Sequence, residues 1–142
     1  MSGVPHNKGM NRRTVLGGLS VGSAGLALSG CSQEDAQPQV AEGPQKPTDM
    51  AAVSDVPLGG AYKATAEGIT VMLTQPKEGV FKAFSSACTH QGCQLNVQTT
   101  IIACPCHASH FSIKDGSVTG GPAPTPLPEY KTEVKDGRIF VG

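Results

Sequence analysis

Cys88-Thr89-His90-Gln91-Gly92-Cys93 and Cys104-Pro105-Cys106-His107-Ala108-Ser109-His110-Phe111 together hold four of the five cysteines and three of the four histidines of the chain. Each cluster has one Cys–His pair and one additional Cys. The interval Gln94–Ala103 carries Val97, Thr99, Thr100, Ile101 and Ile102. That β-branched run predicts a hairpin bringing the two clusters side by side. Three chemistries use such residues. Two disulfides would consume all four cysteines and leave the histidines as bystanders. A tetrahedral zinc site would take Cys88, His90, Cys104 and His107. A two-iron cluster would put two thiolates on one iron and two neutral imidazoles on the other, bridged by inorganic sulfides. Of the three, the two-iron cluster accounts for the duplicated layout.

With Cys-x-His in one loop and Cys-x-x-His in the other, the chain resembles the Rieske iron–sulfur proteins, in the disulfide-bearing form found in cytochrome bc-type proteins. The resemblance covers roughly Asp49 to Gly142. It implies an all-β fold: an antiparallel β-sandwich with a cluster-binding subdomain formed by two loops. It also implies a 2Fe-2S cluster with Cys88 and Cys104 on one iron and His90 and His107 on the other. By the same resemblance Cys93 and Cys106 form a disulfide between the loops. Ser109 matches a serine whose hydroxyl bonds a bridging sulfide, and Gly121-Pro122-Ala123-Pro124 resembles a proline-rich loop that covers the cluster. His110 matches no ligand position. Three positions depart from the family pattern. Ala108 stands where Gly is common. Phe111 stands where high-potential members carry a Tyr that donates to a cysteine sulfur. Gln91 stands where quinol-oxidising members carry a Leu.

Outward from the clusters the sequence reads as short strands and turns. Strands are expected at Asp49–Val56, Ala61–Ala66, Ile69–Thr74, Val80–Phe84, Tyr130–Val134 and Arg138–Val141. Gln75–Gly79 and Lys135-Asp136-Gly137 are the turns of two hairpins. Ile69–Thr74 is β-branched and alternating. No long stretch has helical periodicity. Gly and Pro number 18 and 11, which favours turns over long helices. Aromatics make up 4% with no Trp, so the core is built mainly from Val, Ile, Leu and Ala.

Upstream, residues 1–30 read as an export signal. Arg12-Arg13 precede an uncharged run that ends Leu28-Ser29-Gly30-Cys31. A basic start, a short apolar stretch and small residues before a cleavage point describe secretion, and paired arginines resemble the twin-arginine type. Leu-Ser-Gly-Cys resembles a bacterial lipobox, which makes Cys31 the expected lipidated N-terminus and explains the odd cysteine. Residues 31–48, with Pro38, Pro44, Pro47 and three acids, read as a flexible tether to a domain at 49–142. The expected location is the outer face of the bacterial cytoplasmic membrane. The protein would be exported folded and held there by lipid at Cys31 or by a retained N-terminal segment.

Eleven basic and eleven acidic residues give zero net charge, which excludes a sequence-independent hold on nucleic acid. The expected function is electron transfer as the iron–sulfur subunit of a membrane respiratory or bc-type complex. The redox partner would be a cytochrome or the respiratory complex, with quinol as a further candidate. The alternative is a freestanding membrane-anchored Rieske lipoprotein serving as a redox carrier or sensor. No substrate chemistry is expected of the chain alone. An oxygenase ferredoxin of the cytosol fits poorly with an export signal and a disulfide.

Overall fold

A computed structural model describes residues 41–142. The expected export signal at 1–30, Cys31 and most of the tether lie outside the described residues. β1 (Thr48–Ala52) runs into one 3-10 turn at Val53–Asp55, where the Asp55 carboxylate accepts the Ala52 N–H at 3.0 Å. A meander follows: β2 (Ala61–Ala66), β3 (Ile69–Lys77) and β4 (Val80–Ser85). β5 (Asn96–Gln98), β6 (Ile101–Ala103), β7 (His110–Ser112) and β8 (Val118–Gly120) come next. The chain ends with β9 (Glu129–Tyr130), β10 (Thr132–Lys135) and β11 (Arg138–Val141). These strands make three antiparallel sheets, ordered β1-β11-β10, β2-β3-β4-β9 and β5-β6-β7-β8. The all-β expectation holds. The cluster-side subdomain is more than two loops, because it is a four-stranded sheet in its own right, with β7 and β8 not foreseen from sequence.

The middle of the β2-β3-β4-β9 sheet, where β3 pairs with β4, is buried on both faces. Met72 and Phe84, register partners on β3 and β4, join a core with Leu95, Ile102 and Phe111 of the cluster-side sheet. Their neighbours Val71, Leu73 and Ala83 point the other way, into a core with Ile139 and Val141. Val71 through Thr74 are therefore wholly buried, not alternately exposed. The strand read at Ile69–Thr74 is present as the first part of β3, and because it is covered on both faces it lacks the period-2 polarity of a half-solvated strand.

Two further expectations shift. β3 continues through Gln75 and Pro76, with its register against β4 breaking between Thr74 and Lys77. Pro76 falls in that irregularity, where no ladder N–H is required. The single strand expected at Tyr130–Val134 is split, since β9 pairs with β4 while β10 pairs with β11. The hairpin at Asp136-Gly137 is as read: both residues have positive φ, 50° and 74°, matching a two-residue turn of the I′ kind.

Packing onto the domain begins upstream of Asp49. Pro44 is buried, Gly43 lies against the Tyr130 ring, and the Tyr130 hydroxyl donates to the Ala41 carbonyl. A Cβ on Gly43 would sit 2.5 Å from that ring, so only glycine allows the contact. Among the described residues no helix is long and apolar enough to cross a membrane.

Candidate metal centre

Two loops on the cluster-side sheet carry the cysteines and histidines. The first leaves β4 and reaches β5; the second joins β6 to β7. Each is closed at its base by its own backbone. In the first, Cys88 N–H donates to Cys93 O at 2.9 Å and Gly92 N–H donates to Cys88 O at 2.8 Å. In the second, Cys104 N–H donates to Ser109 O at 2.8 Å. The β5–β6 hairpin between them pairs Asn96 with Ala103 and Gln98 with Ile101, so it does place the loops side by side.

Cys93 and Cys106 are joined as a disulfide, with their Cα atoms 6.5 Å apart. Cys88 and Cys104 remain free thiols and are 1% and 4% exposed. Their environment is the apolar core shared by Phe84, Leu95, Ile102 and Phe111. Burial pushes the Cys88 thiol above its ordinary pKa. The adjacent Cys104 adds to the rise, while hydrogen bonds from the His90 backbone and the Ser109 hydroxyl oppose it. On the outer side His90 is half-buried and His107 exposed, their ring centroids 4.8 Å apart and nearly perpendicular. The thiols face inward and the imidazoles outward.

Cys104 also has its sulfur within 4.8 Å of those of Cys93 and Cys106. Two of those three sulfurs are consumed by the disulfide, which leaves Cys104 and Cys88 as the free thiols of the two loops. The Nδ1 atom of His90 is buried and has no hydrogen-bond partner. An orphaned buried acceptor or donor is costly, and a metal bond to that nitrogen would satisfy it. Two free buried thiols, two converging imidazoles and one orphaned ring nitrogen form a donor set that fits a two-iron cluster.

Ser109 is fully buried, and its Oγ accepts the Ala123 N–H at 3.1 Å while lying within hydrogen-bond reach of Cys88. Phe111 is fully buried in the same core as both free thiols. Ala108 holds a positive φ of 56°, which accounts for the expectation of Gly there. His110 lies on β7 opposite Gly120, outside the paired imidazoles. Sequence reading missed Thr89, whose Oγ1 donates to Thr125 O at 2.7 Å. A threonine 36 positions from its partner leaves no local signal.

An antiparallel β domain with paired Cys–His loops and an inter-loop disulfide defines a class, the iron–sulfur electron carriers with mixed thiolate and imidazole ligation. The chain belongs to the Rieske [2Fe-2S] domain family, whose model matches residues 46–131. It is 37% identical over 92 residues to the cytochrome b6-f complex iron-sulfur subunit of Chlorobaculum tepidum, covering 62% of this chain and 49% of that one. It is 31% identical over 115 residues to the menaquinol:cytochrome c reductase iron-sulfur subunit of Geobacillus thermodenitrificans, covering 67% and 68%. Among solved structures it resembles the cyanobacterial plasma membrane Rieske protein from Synechocystis. The TM-score is 0.58 and the identity 31%, over 67% of this chain and 98% of that one. The chain thus spans about half the length of the first of these relatives.

Proposed function

We propose that this chain is the iron–sulfur subunit of a bc-type membrane complex, taking one electron from a quinol and passing it to a cytochrome. The observation that carries this reading is the inward pair of thiols and outward pair of imidazoles, on a fold whose relatives are named as such subunits. Cys88 and Cys104 would hold one iron, and His90 (through Nδ1) and His107 the other. When bound, the cluster supplies a one-electron couple whose potential is raised because neutral imidazoles replace two anionic thiolates. The protein's own residues do the rest. The apolar core around Cys88 and Cys104 keeps water from the thiolates. The Ser109 hydroxyl and the His90 backbone N–H donate toward the sulfur of Cys88 and so stabilise added negative charge. His107 stands exposed at the outer side of the site, where a partner can approach it.

The same reading places the domain on the outer face of the bacterial cytoplasmic membrane, exported by the 1–30 segment. It is held by lipid at Cys31 or by a retained N-terminal segment, through a tether within 31–48. The basic start and the Leu-Ser-Gly-Cys sequence support this placement. A second reading, a freestanding anchored redox carrier, is favoured by Gln91. That polar residue is exposed beside His90, where quinol-oxidising relatives carry an apolar one.

Electron paramagnetic resonance of the reduced full chain tests the centre, with the mixed-ligand 2Fe-2S signal expected. The signal should vanish in Cys88→Ser and His90→Ala. Purification from native membranes then separates the two readings. Recovery with b- and c-type cytochromes is expected for a complex subunit, and recovery without any haem protein overturns it.

A further inference from the structure

The stretch Gly121-Pro122-Ala123-Pro124-Thr125-Pro126-Leu127-Pro128 has proline at every second position. Proline fixes φ near −65° and lacks an N–H, so the segment is a stiff strap whose N–H groups belong to the odd-numbered residues alone. Pro122, Pro124 and Pro126 are exposed, while Ala123 and Leu127 are buried. The strap is fastened at both ends. Ala123 N–H donates to Ser109 Oγ at 3.1 Å, and Gly121 lies so close to Ser109 that a Cβ there would be 2.4 Å from its Cα. Further along, Leu127 N–H donates to Gly116 O and Pro128 O accepts the Ser85 N–H, both at 2.9 Å. Between these anchors, Thr125 O accepts the hydroxyl of Thr89 at 2.7 Å. Thr89 is 5% exposed and directly precedes His90.

The two ligand loops are therefore joined twice. One link is the Cys93–Cys106 disulfide. The other runs from Thr89 to Thr125, along the strap to Ala123, and on to Ser109. We propose that Thr89 is a positioning residue: its bond to the strap is a second brace, parallel to the disulfide, that holds the first loop and His90 in place when the disulfide is open. Parallel braces predict a specific energetic pattern. Removing either leaves the other in charge of the loop, so the two losses together exceed their separate effects. The brace rests on loop geometry and needs no particular set of metal ligands.

The test is a double-mutant cycle on the full chain with Thr89→Val, Cys93→Ser/Cys106→Ser and their combination, and with Thr89→Ser as the conservative control. Hydrogen exchange of the 86–95 segment, read by mass spectrometry, should rise modestly for each single loss. In the combination it should rise on the order of tenfold beyond the product of the two. Thr89→Ser should exchange like the parent. In the loaded protein the midpoint potential should move with Thr89→Val only when the disulfide is absent, which mere loss of fold stability would not produce. Simple multiplication of the two exchange effects overturns the proposal, as does Thr89→Ser behaving like Thr89→Val. If the combination takes up no cluster, the cycle is closed on the apo forms. If Thr89→Val does not fold, Thr89→Ala replaces it, and failure of both shows a role in folding rather than positioning. Absence of a 2Fe-2S signal from the parent would sink the cluster reading and leave the exchange cycle intact.

Discussion

Single side chains set the electrostatics around the free thiols and the strain and titration of the domain, and four of them lend themselves to measurement. Phe111 is fully buried in the core that contains Cys88 and Cys104, and it cannot donate a hydrogen bond. A hydroxyl there would favour the more negative, reduced state. Charge-assisted hydrogen bonds contribute about 1.5–3 kcal/mol in all, but only their difference between redox states moves the potential. With about 59 mV per tenfold change for one electron, tens of millivolts are expected. Voltammetry should show Phe111→Tyr raised and Ser109→Ala lowered, the latter losing the donor near Cys88. An unchanged potential in Phe111→Tyr with a native spectrum would mean the hydroxyl does not reach a sulfur. Ala108 carries left-handed strain at φ 56°. Ala108→Gly relieves roughly 1–2 kcal/mol of it and costs about 0.5–1 kcal/mol in chain entropy, so a slightly higher thermal midpoint is expected. Tyr130 has its pKa raised above 10.0, chiefly by burial. The folded state then keeps a proton that the unfolded chain releases, so its contribution is complete below the ordinary tyrosine range. It is lost as pH climbs above about 10. Tyr130→Phe should remove this alkaline decline in denaturation midpoints and cost about 1 kcal/mol at neutral pH through the lost bond to Ala41.

At the scale of elements, the two ligand loops hold their form because they are closed from three sides: by backbone bonds at their bases, by the disulfide and by the proline strap. Gly121 is where the strap meets the second loop, with φ 82° and the Ser109 Cα only 2.4 Å from where an added Cβ would sit. Left-handed strain and the clash together predict a loss of about 2–5 kcal/mol for Gly121→Ala. Chemical denaturation of the holoprotein measures the loss. Weaker retention of the cluster should accompany it, because the displaced strap pulls on Ser109. A change below about 0.5 kcal/mol, the range of ordinary surface substitutions, would mean that the strap does not bear on the loop.

Across the whole molecule, the β2-β3-β4-β9 sheet separates two cores, and adjacent residues of β3 report on them separately. Met72 faces the core that includes Cys88, Cys104 and Phe111, whereas Leu73 faces the core with Ile139 and Val141. Both are fully buried, so truncation to Ala should cost about 2–5 kcal/mol in each case. Their effects on the centre should differ. Met72→Ala opens space beneath the ligand loops and should broaden or shift the paramagnetic resonance of the cluster. Leu73→Ala should lower stability by a similar amount and leave that spectrum as it was. Equal spectral effects would show that the sheet transmits disorder from one core to the other.

The chemistry of the site was legible in the sequence because iron, thiolate and imidazole demand particular side chains at short spacings, which Cys88 to Cys93 and Cys104 to His107 spell out locally. The hairpins were legible for a similar reason: Asp136-Gly137 can adopt positive φ at little cost, and neighbouring residues decide the turn. What tertiary structure alone decided lies at long sequence separation. Whether β3 is covered on one face or two depends on strands from both ends of the domain, so its own alternation could not reveal it. The tie of Thr89 to Thr125 spans 36 residues and that of Tyr130 to Ala41 spans 89. The burial of His90 Nδ1 without a hydrogen-bond partner likewise depends on how the folded loops surround it. Hydrogen bonds and burial of this kind depend on which distant surfaces meet, and that is settled by packing the three sheets rather than by any local run of residues.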